Sequence, residues 1–240
     1  MKSTTDIWNE FFNHDGGGEN TLRQRVNKWP FEYLVKYINL NSINQLSNRR
    51  SLDVGFGDGA NMLMSEKEGF ESYGVEVSQN ALNNFCRNNI NTTCKASLFD
   101  SEKVILPFDS STFDLVFSLQ ALYYNTDFKK IVKEIYRVMK SEGYFFATFF
   151  SPNHWYFQYS KDIGNGLREW DTNFPTKYLR GAKLKYFDEK DELKAYFADF
   201  DSVRIDDFST NFLGIEFSLW ILTARKAAQS KLLGTDFYKF

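Results

Sequence analysis

The sequence predicts an α/β protein built on one open, mostly parallel sheet of seven strands, with helices on both faces. Short apolar runs alternate with longer amphipathic stretches through most of the chain, which is typical of parallel strands joined by crossover helices. The first apolar run ends in a glycine-rich turn at residues 55–59, and the second ends in an acidic residue, Glu76. In open sheets, ligands bind at the carboxyl ends of such strands.

Seven short apolar segments are interpreted as the strands. They are residues 50–55, 70–77, 92–97, 113–119, 143–150, 202–208 and 217–224. The segment 143–150 is an almost unbroken apolar run, which indicates a strand buried on both faces.

Helices are predicted between these strands from the spacing of their apolar residues. They are residues 31–38, 59–68, 79–89, 128–140 and 188–197. The clearest pattern lies at 128–140, whose apolar positions are three or four residues apart and therefore share one face. That face carries Ile131, Val132, Ile135, Val138 and Met139.

Two segments interrupt the alternation, although the 240 residues are expected to form a single domain. Residues 1–29 are rich in aromatic residues and are expected to form an N-terminal flap. Residues 151–184 follow the fifth strand without a clear period and are expected to form a lid. Aromatic side chains interleaved with arginines suit a lid over a polar or anionic ligand. An ordinary surface excursion with a small core of its own is the alternative.

Composition excludes several classes of partner. A net charge of −2 gives no electrostatic reason to expect nucleic acid or an anionic membrane. The sequence contains no run of about 18 consecutive apolar residues, and the start of the chain is too polar for a secretory signal. Cys86 and Cys94 lack zinc or redox spacing. A cytoplasmic protein is expected, as a monomer or homodimer.

The glycine-rich turn favours a nucleoside that carries no phosphates. Residues without a Cβ let ligand atoms approach the backbone closely, and the spacing G-x-G-x-G differs from the G-x-G-x-x-G of dinucleotide sites. Asp58 within the turn would repel a pyrophosphate, whereas Glu76 can accept both hydroxyls of a ribose. S-adenosylmethionine is the commonest such cofactor. Taken singly, Asp53 could merely cap a turn, and Glu76 could be a solvated strand end.

Four motifs resemble the class I S-adenosylmethionine-dependent methyltransferases. They are L-D-V-G-F-G-D-G, G-V-E-V-S, L-P-F-D-S-S-T-F-D-L-V-F-S, and E-I-Y-R-V-M-K followed by S-E-G-Y-F. The resemblance covers roughly residues 25–150, with a weaker echo to 225. It implies a Rossmann-like fold and S-adenosylmethionine as the cofactor, but says little about the substrate.

The resemblance also assigns cofactor contacts. The methionine end would lie at Asp53 and at Gly55, Gly57 and Gly59. The ribose would lie at Glu76, and the adenine would lie against Val77, Ser97 and Leu98. Ser118 and Leu119 would offer backbone carbonyls to the amino group of the cofactor. The family commonly has Gly-Asp where this chain has Ala96-Ser97, so the contact to the adenine amino group is open.

Candidates for the chemistry follow strands four and five. His154, one of two histidines in the chain, is a candidate general base, and Tyr124 stands where the family often has histidine. Positioning without a base is the alternative. Tyr123, Trp155, Arg168 and Arg180 are expected to bind the acceptor. We expect a small polar acceptor methylated on oxygen or nitrogen, such as a sugar or sugar nucleotide. A cofactor-binding subunit without activity and a protein methyltransferase are the alternatives.

Overall fold

The computed structural model describes residues 2–14, 29–212 and 215–228. The strands of the main sheet are β1 (Arg50–Val54), β2 (Glu71–Glu76), β3 (Lys95–Leu98), β4 (Phe113–Leu119), β5 (Met139–Phe150), β9 (Phe200–Phe212) and β10 (Ile215–Lys226). A smaller sheet contains β6 (Ser160–Gly164), β7 (Leu167–Trp170) and β8 (Lys183–Lys185). The helices are α1 (Thr4–His14), α2 (Glu32–Leu40), α3 (Ala60–Lys67), α4 (Gln79–Asn88), α5 (Phe128–Val138) and α6 (Lys190–Ala195).

The main sheet confirms the predicted fold class. Its strand order is β3-β2-β1-β4-β5-β10-β9, and β1 to β5 run parallel while β10 is antiparallel to both of its neighbours. The strand order reverses between β1 and β4, because the chain winds outward to β3 and then returns to the other side of β1. Ligands of open sheets bind at such a reversal, and the glycine-rich turn leaves β1 there.

Helix α5 shows how local sequence fixes an element. The Asp127 side chain caps it by accepting from the backbone N–H of Lys130. Its buried residues are Phe128, Ile131, Val132, Ile135 and Val138. Burial of each of these side chains contributes about 1.5–3 kcal/mol relative to an exposed one. The helix therefore packs against the sheet through one stripe, as predicted.

Several predicted boundaries differ from the structure by a few residues, and two of them have a visible cause. Met139, placed in the helix by its periodicity, is the first residue of β5; its backbone is extended, with φ −70° and ψ 140°. The side chain is still buried, so periodicity alone could not separate the two states. The third strand begins at Lys95 instead of residue 92, because Thr92 and Thr93 hydrogen-bond to Glu66 instead of joining the sheet.

The segment 151–184 contains strands that the sequence analysis did not predict. β7 pairs with β6 and β8 in a three-stranded antiparallel sheet that extends to Lys185. The β6–β7 turn is Asn165-Gly166, and both residues have positive φ, 57° and 67°. Asn-Gly is the strongest short hairpin signal, so this hairpin could have been recognised. We call residues 151–185 the lid.

Helix α1 lies over the carboxyl edge of the main sheet, beside α4 and the turn Lys177–Leu179 of the lid. In the segments that the structure describes, no helix combines the length and apolar character that a membrane crossing needs.

Candidate active site

The glycine-rich turn adopts a backbone that side chains resist. Gly55, Gly57 and Gly59 have φ of 81°, 55° and 80°, the left-handed region in which a Cβ is unfavourable. A Cβ on Gly55 would overlap the side chain of Ala121, and one on Gly59 would overlap the Phe85 ring. The turn is therefore narrow, and it exposes backbone instead of side chains toward the edge of the sheet.

Glu76 holds this turn in place. Its Oε2 accepts from the backbone N–H of Gly57 at 3.0 Å, and its Oε1 accepts from Val77 and Ser78 at 2.7 and 3.1 Å. The residue is 5% exposed at the end of β2. A carboxylate offers about four lone-pair positions, so ribose hydroxyls at Glu76 would have to share or replace these donors. Glu76 is thus both a structural anchor of the turn and a candidate ribose ligand.

Asp53 is a buried carboxylate in the middle of the sheet. It lies on β1 between Gly74 of β2 and Phe117 of β4 and is 1% exposed. Among the described residues, its Oδ2 has no hydrogen-bond partner. Burial, reinforced by the nearby Glu76 carboxylate, raises the pKa of Asp53 well above its ordinary value. A cationic group of a ligand would satisfy this atom.

The remaining predicted cofactor residues lie along the same edge. Ser97 and Leu98 of β3 pair with Val75 and Glu76, which places them beside the end of β2. Val77 is half-buried and directly follows Glu76. The Ser118 hydroxyl donates to the carbonyl of Val54 at 2.8 Å and joins β4 to β1. Leu119 is the last residue of β4.

Gln120 is a residue of this edge that the sequence analysis missed. It follows Leu119 with φ 54°, an uncommon conformation for a residue other than glycine, and its backbone N–H donates to Thr148 Oγ1 at 2.9 Å. Strained backbone of this kind clusters at functional sites. The bend turns the chain toward Tyr123 and Tyr124. No feature of the sequence predicted this bend at Gln120.

Aromatic side chains fill the space after β4. Tyr123 and Tyr124 are 2% and 7% exposed. The hydroxyl of Tyr124 accepts from Trp170 Nε1 at 3.3 Å, and its ring packs edge-on against Trp8 of α1, with centroids 5.0 Å apart. Burial raises the pKa of both tyrosines, so both keep their protons at neutral pH. Helix α1, through Trp8, and the lid, through Trp170, therefore meet at Tyr124.

His154 belongs to the lid, and its ring is buried on the side that faces the main sheet instead of lying on the surface. It is 2% exposed, and its ring packs on Phe150, Tyr156 and Phe217 with centroids 4.1, 4.7 and 4.8 Å away. The backbone N–H of Tyr156 donates to its Nδ1 at 3.1 Å. Burial lowers the pKa of His154 to about 4.

Of the other predicted acceptor residues, Trp155 contacts this aromatic cluster through Tyr156, whereas the two arginines are held by other residues of the lid. Arg168 donates to Ser160 through Nε and Nη2 and stacks over Tyr186. It also lines a cleft of about 570 Å³ on the lid. The residues of the glycine-rich turn do not line that cleft. Arg180 donates to the carbonyl of Phe174. Both arginines thus hold the lid together. Trp155 is half-buried against Tyr156 and Tyr159.

Helix α1, the described part of the expected N-terminal flap, covers the end of β2. The Ser78 hydroxyl bonds to Asn9 Oδ1 at 3.0 Å and contacts the carbonyl of Trp8 at 3.3 Å, while the Asn80 side chain donates to the carbonyl of Asn9 at 2.8 Å. Asn9 and Ser78 were not predicted as site residues. Residues 15–28 of the expected flap lie outside the described residues.

The arrangement fits S-adenosylmethionine. The unpartnered Asp53 Oδ2 suits the cationic methionine end, and the glycine-rich turn leaves backbone room beside it. Glu76 lies at the position of a ribose ligand, at the end of the adjacent strand. The fold and this site together are typical of a nucleoside-binding domain of the open α/β class.

Comparisons with known proteins agree with this definition. Residues 52–147 match the family described as the methyltransferase domain. Sterol 4-C-methyltransferase strm-1 of Caenorhabditis elegans is 34% identical over 146 residues, which are 58% of this chain and 42% of that enzyme. The methyltransferase candidate YrhH of Bacillus subtilis is 28% identical, over 54% of this chain and 77% of its own. The chain matches less than half the length of the nematode enzyme.

A solved structure supports the fold. An S-adenosylmethionine-dependent methyltransferase from Methanosarcina mazei superposes with a TM-score of 0.62 at 19% identity, covering 79% of this chain and 98% of its own. At that identity the likeness bears on the fold alone. Residues 52–147 thus carry the likeness to the methyltransferase domain, and the solved structure extends the likeness in fold to most of the chain.

Proposed function

We propose that this chain transfers the methyl group of S-adenosylmethionine to an oxygen or nitrogen of a small molecule bound beneath α1 and the lid. The observation that carries the proposal is the juxtaposition of two sites at one edge of the sheet. The glycine-rich turn, Asp53 and Glu76 follow β1 and β2, while the aromatic cluster of Tyr123, Tyr124 and His154 follows β4 and β5. A donor at the first site would therefore face an acceptor at the second.

The cofactor supplies a methyl group on a sulfonium sulfur, which is already reactive. The protein must then hold the acceptor in line and exclude water. Tyr123, Tyr124 and His154 are buried, and Tyr124 is covered by Trp8 of α1 and Trp170 of the lid; this burial serves that exclusion. We propose that these residues position the acceptor.

Neither predicted base is arranged to remove a proton. The lone pair of His154 Nδ1 is engaged by the Tyr156 N–H, and burial keeps Tyr124 protonated. Their role as general bases stays a prediction, and we favour positioning as the main source of rate.

A small acceptor is favoured over a protein, because both α1 and the lid close over the cluster, whereas a macromolecule needs an open approach. A sugar or sugar nucleotide finds less support. The arginines that would bind its polar groups, Arg168 and Arg180, are engaged within the lid.

The proposal is tested in two stages. Titration calorimetry should show micromolar binding of S-adenosylmethionine and S-adenosylhomocysteine to the folded chain. Methyl transfer is then followed as release of S-adenosylhomocysteine in the presence of a panel of small acceptors. Absence of binding would overturn the proposal. Binding without turnover of any acceptor would support a cofactor-binding subunit instead.

A further inference from the structure

Two buried polar atoms beneath the lid have no partner. Among the described residues, the hydroxyl of Tyr123 and Nε2 of His154 make no hydrogen bond, although both side chains are 2% exposed. They belong to one cluster, because the Phe150 ring contacts both, with centroids 4.9 Å from Tyr123 and 4.1 Å from His154. Buried groups of this kind are ordinarily hydrogen-bonded. The absence of a protein partner for both atoms therefore points to a ligand as their partner.

The protonation state of each group follows from its surroundings. In neutral imidazole one nitrogen accepts and the other donates. His154 Nδ1 accepts from the backbone N–H of Tyr156, and burial keeps the ring neutral near pH 7. The proton must therefore reside on Nε2, which makes Nε2–H a donor. Burial also keeps the hydroxyl of Tyr123 protonated. Both unpartnered atoms can thus donate to the same kind of group.

Among the described residues, no charged side chain hydrogen-bonds to or stacks on Tyr123, Tyr124 or His154. The pKa of His154 and that of Tyr156 respond to burial alone. The pKa of Tyr123 responds to burial and then to neighbouring tyrosines, and that of Tyr124 to burial, Trp170 and Tyr156. An ion brought here would lose its hydration without gaining a counter-ion from the side chains of the cluster, which is unfavourable.

We propose that the acceptor is an uncharged, ring-bearing molecule whose oxygen accepts hydrogen bonds from His154 Nε2–H and the Tyr123 hydroxyl. This inference rests on the proposed function and narrows its substrate class. The ring requirement comes from the surroundings of the donors, since the rings of Phe150 and Tyr156 flank His154 with centroids 4.1 and 4.7 Å away, and aromatic side chains pack well on a flat apolar body. The oxygen requirement comes from the two donors. His154 then acts as a binding donor instead of a base.

The test uses three probes that share one ring system and differ in charge. They are 2-naphthol, the anion 2-naphthoate and the cation 2-naphthylmethylammonium, each titrated by calorimetry into the chain saturated with S-adenosylhomocysteine. We expect 2-naphthol to bind at least about tenfold more tightly than either ion. Equal affinities, preference for an ion, or no detectable binding of 2-naphthol would overturn the proposal.

Variants then test the two donors. Tyr123→Phe removes an oxygen without a partner, so it should raise the Tm of the free chain. The same variant should weaken the binding of 2-naphthol by about fivefold or more. His154→Leu should also weaken 2-naphthol, and His154→Gln, which retains a donor, should weaken it less. Undiminished 2-naphthol affinity in Tyr123→Phe would overturn the proposal, and that variant decides the question if the His154 variants do not fold.

A second measurement reads the histidine directly. Long-range ¹H–¹⁵N spectra should show the His154 ring as the neutral Nε2–H form at pH 7, and the opposite tautomer would overturn the proposal. S-adenosylhomocysteine affinity separates the two levels of inference. If the wild-type chain fails to bind it, the proposed function fails. If it binds and the probes show no preference, only the acceptor class is wrong.

Discussion

Replacing Asp53 by asparagine should stabilise the free chain and weaken its binding of the cofactor. The substitution preserves the shape of a side chain that is 1% exposed and removes its charge. In the free chain the carboxylate is buried in the centre of the sheet, and its Oδ2 has no partner among the described residues. With cofactor bound, the same charge would face the cationic methionine end. One substitution therefore has opposite effects on the two states.

The magnitude of the stability change follows from the unsatisfied group. A buried polar group without a partner costs about 1–3 kcal/mol, and a charged one costs more by a similar amount; the neutral amide remains polar but removes this additional cost of the charge. For a chain of this size each kcal/mol shifts Tm by about 2–4 °C. Asp53→Asn should accordingly raise the Tm of the free chain by about 2–12 °C at pH 8. Loss of a charge-assisted hydrogen bond of about 1.5–3 kcal/mol should weaken S-adenosylmethionine about 10- to 150-fold.

The stability difference between Asp53→Asn and the wild type should depend on pH. Because burial raises the pKa of Asp53 in the folded chain, the folded state holds this proton more tightly than the unfolded state does. The stability contributed by the aspartate is therefore lost as pH rises from about 4 through the raised pKa. Asparagine does not titrate, so the advantage of the variant should be small near pH 5 and grow toward pH 8.

Asp114→Asn is the matched control. Asp114 also lies on a central strand but is paired, since it accepts from Lys140 Nζ at 2.7 Å and from the backbone N–H of Arg50 at 2.9 Å. This control should lower Tm and leave cofactor affinity unchanged. Calorimetric melts across pH and titrations with S-adenosylmethionine check both variants. If Asp53→Asn is no more stable than wild type at pH 8, Asp53 has a partner and the reasoning is refuted.

Three further predictions concern the turn and its cover. Glu76→Ala should weaken binding of S-adenosylhomocysteine by about 2–4 kcal/mol, because charge-assisted hydrogen bonds are lost. Glu71→Ala, at the other end of the same strand, should leave this binding unchanged. Equal calorimetric affinities of the two variants would place the ribose elsewhere. Gly59→Ala should lower the free energy of unfolding in urea by about 2–5 kcal/mol, since left-handed backbone strain adds to overlap with an aromatic ring. Gly181→Ala has the same backbone but open space around its Cβ and should cost only about 1–2 kcal/mol; similar losses for both would contradict the close approach at Gly59. Trp8→Ala should raise the dissociation rate of S-adenosylhomocysteine about tenfold in stopped-flow measurements, because α1 covers the site; an unchanged rate would mean that α1 is no barrier.

The sequence predicted the main sheet well because its signals are local. Alternating apolar runs and amphipathic stretches marked every strand and crossover helix of the main sheet, and the order of motifs implied where the strand order reverses. Boundaries failed where burial continues across a change of backbone, as at Met139. The strands of the lid were missed because Arg168 and its neighbours break the apolar alternation, while tertiary packing stabilises the strand.

For the candidate site too, the residues with local sequence signals were predicted and those placed by tertiary contacts were not. Asp53, the glycines and Glu76 come from short stretches whose spacing is visible in one dimension, and the structure brings them to one edge. The inward position of His154 and the outward engagement of Arg168 depend on how the lid folds back. The direction in which the lid folds is set by contacts between residues far apart in the sequence, such as Trp170 with Tyr124. Local sequence patterns do not predict such contacts.

Helix α1 has a consequence for the order in which ligands bind and leave. It contacts the strand end that carries Glu76 and, in the same two turns, the lid beside Tyr124. A single element that caps both ligands links their binding thermodynamically. Whatever factor the acceptor contributes to cofactor affinity, the cofactor must contribute equally to acceptor affinity. Demethylated cofactor and product should therefore hold each other in place, and release of either should hasten the departure of the other.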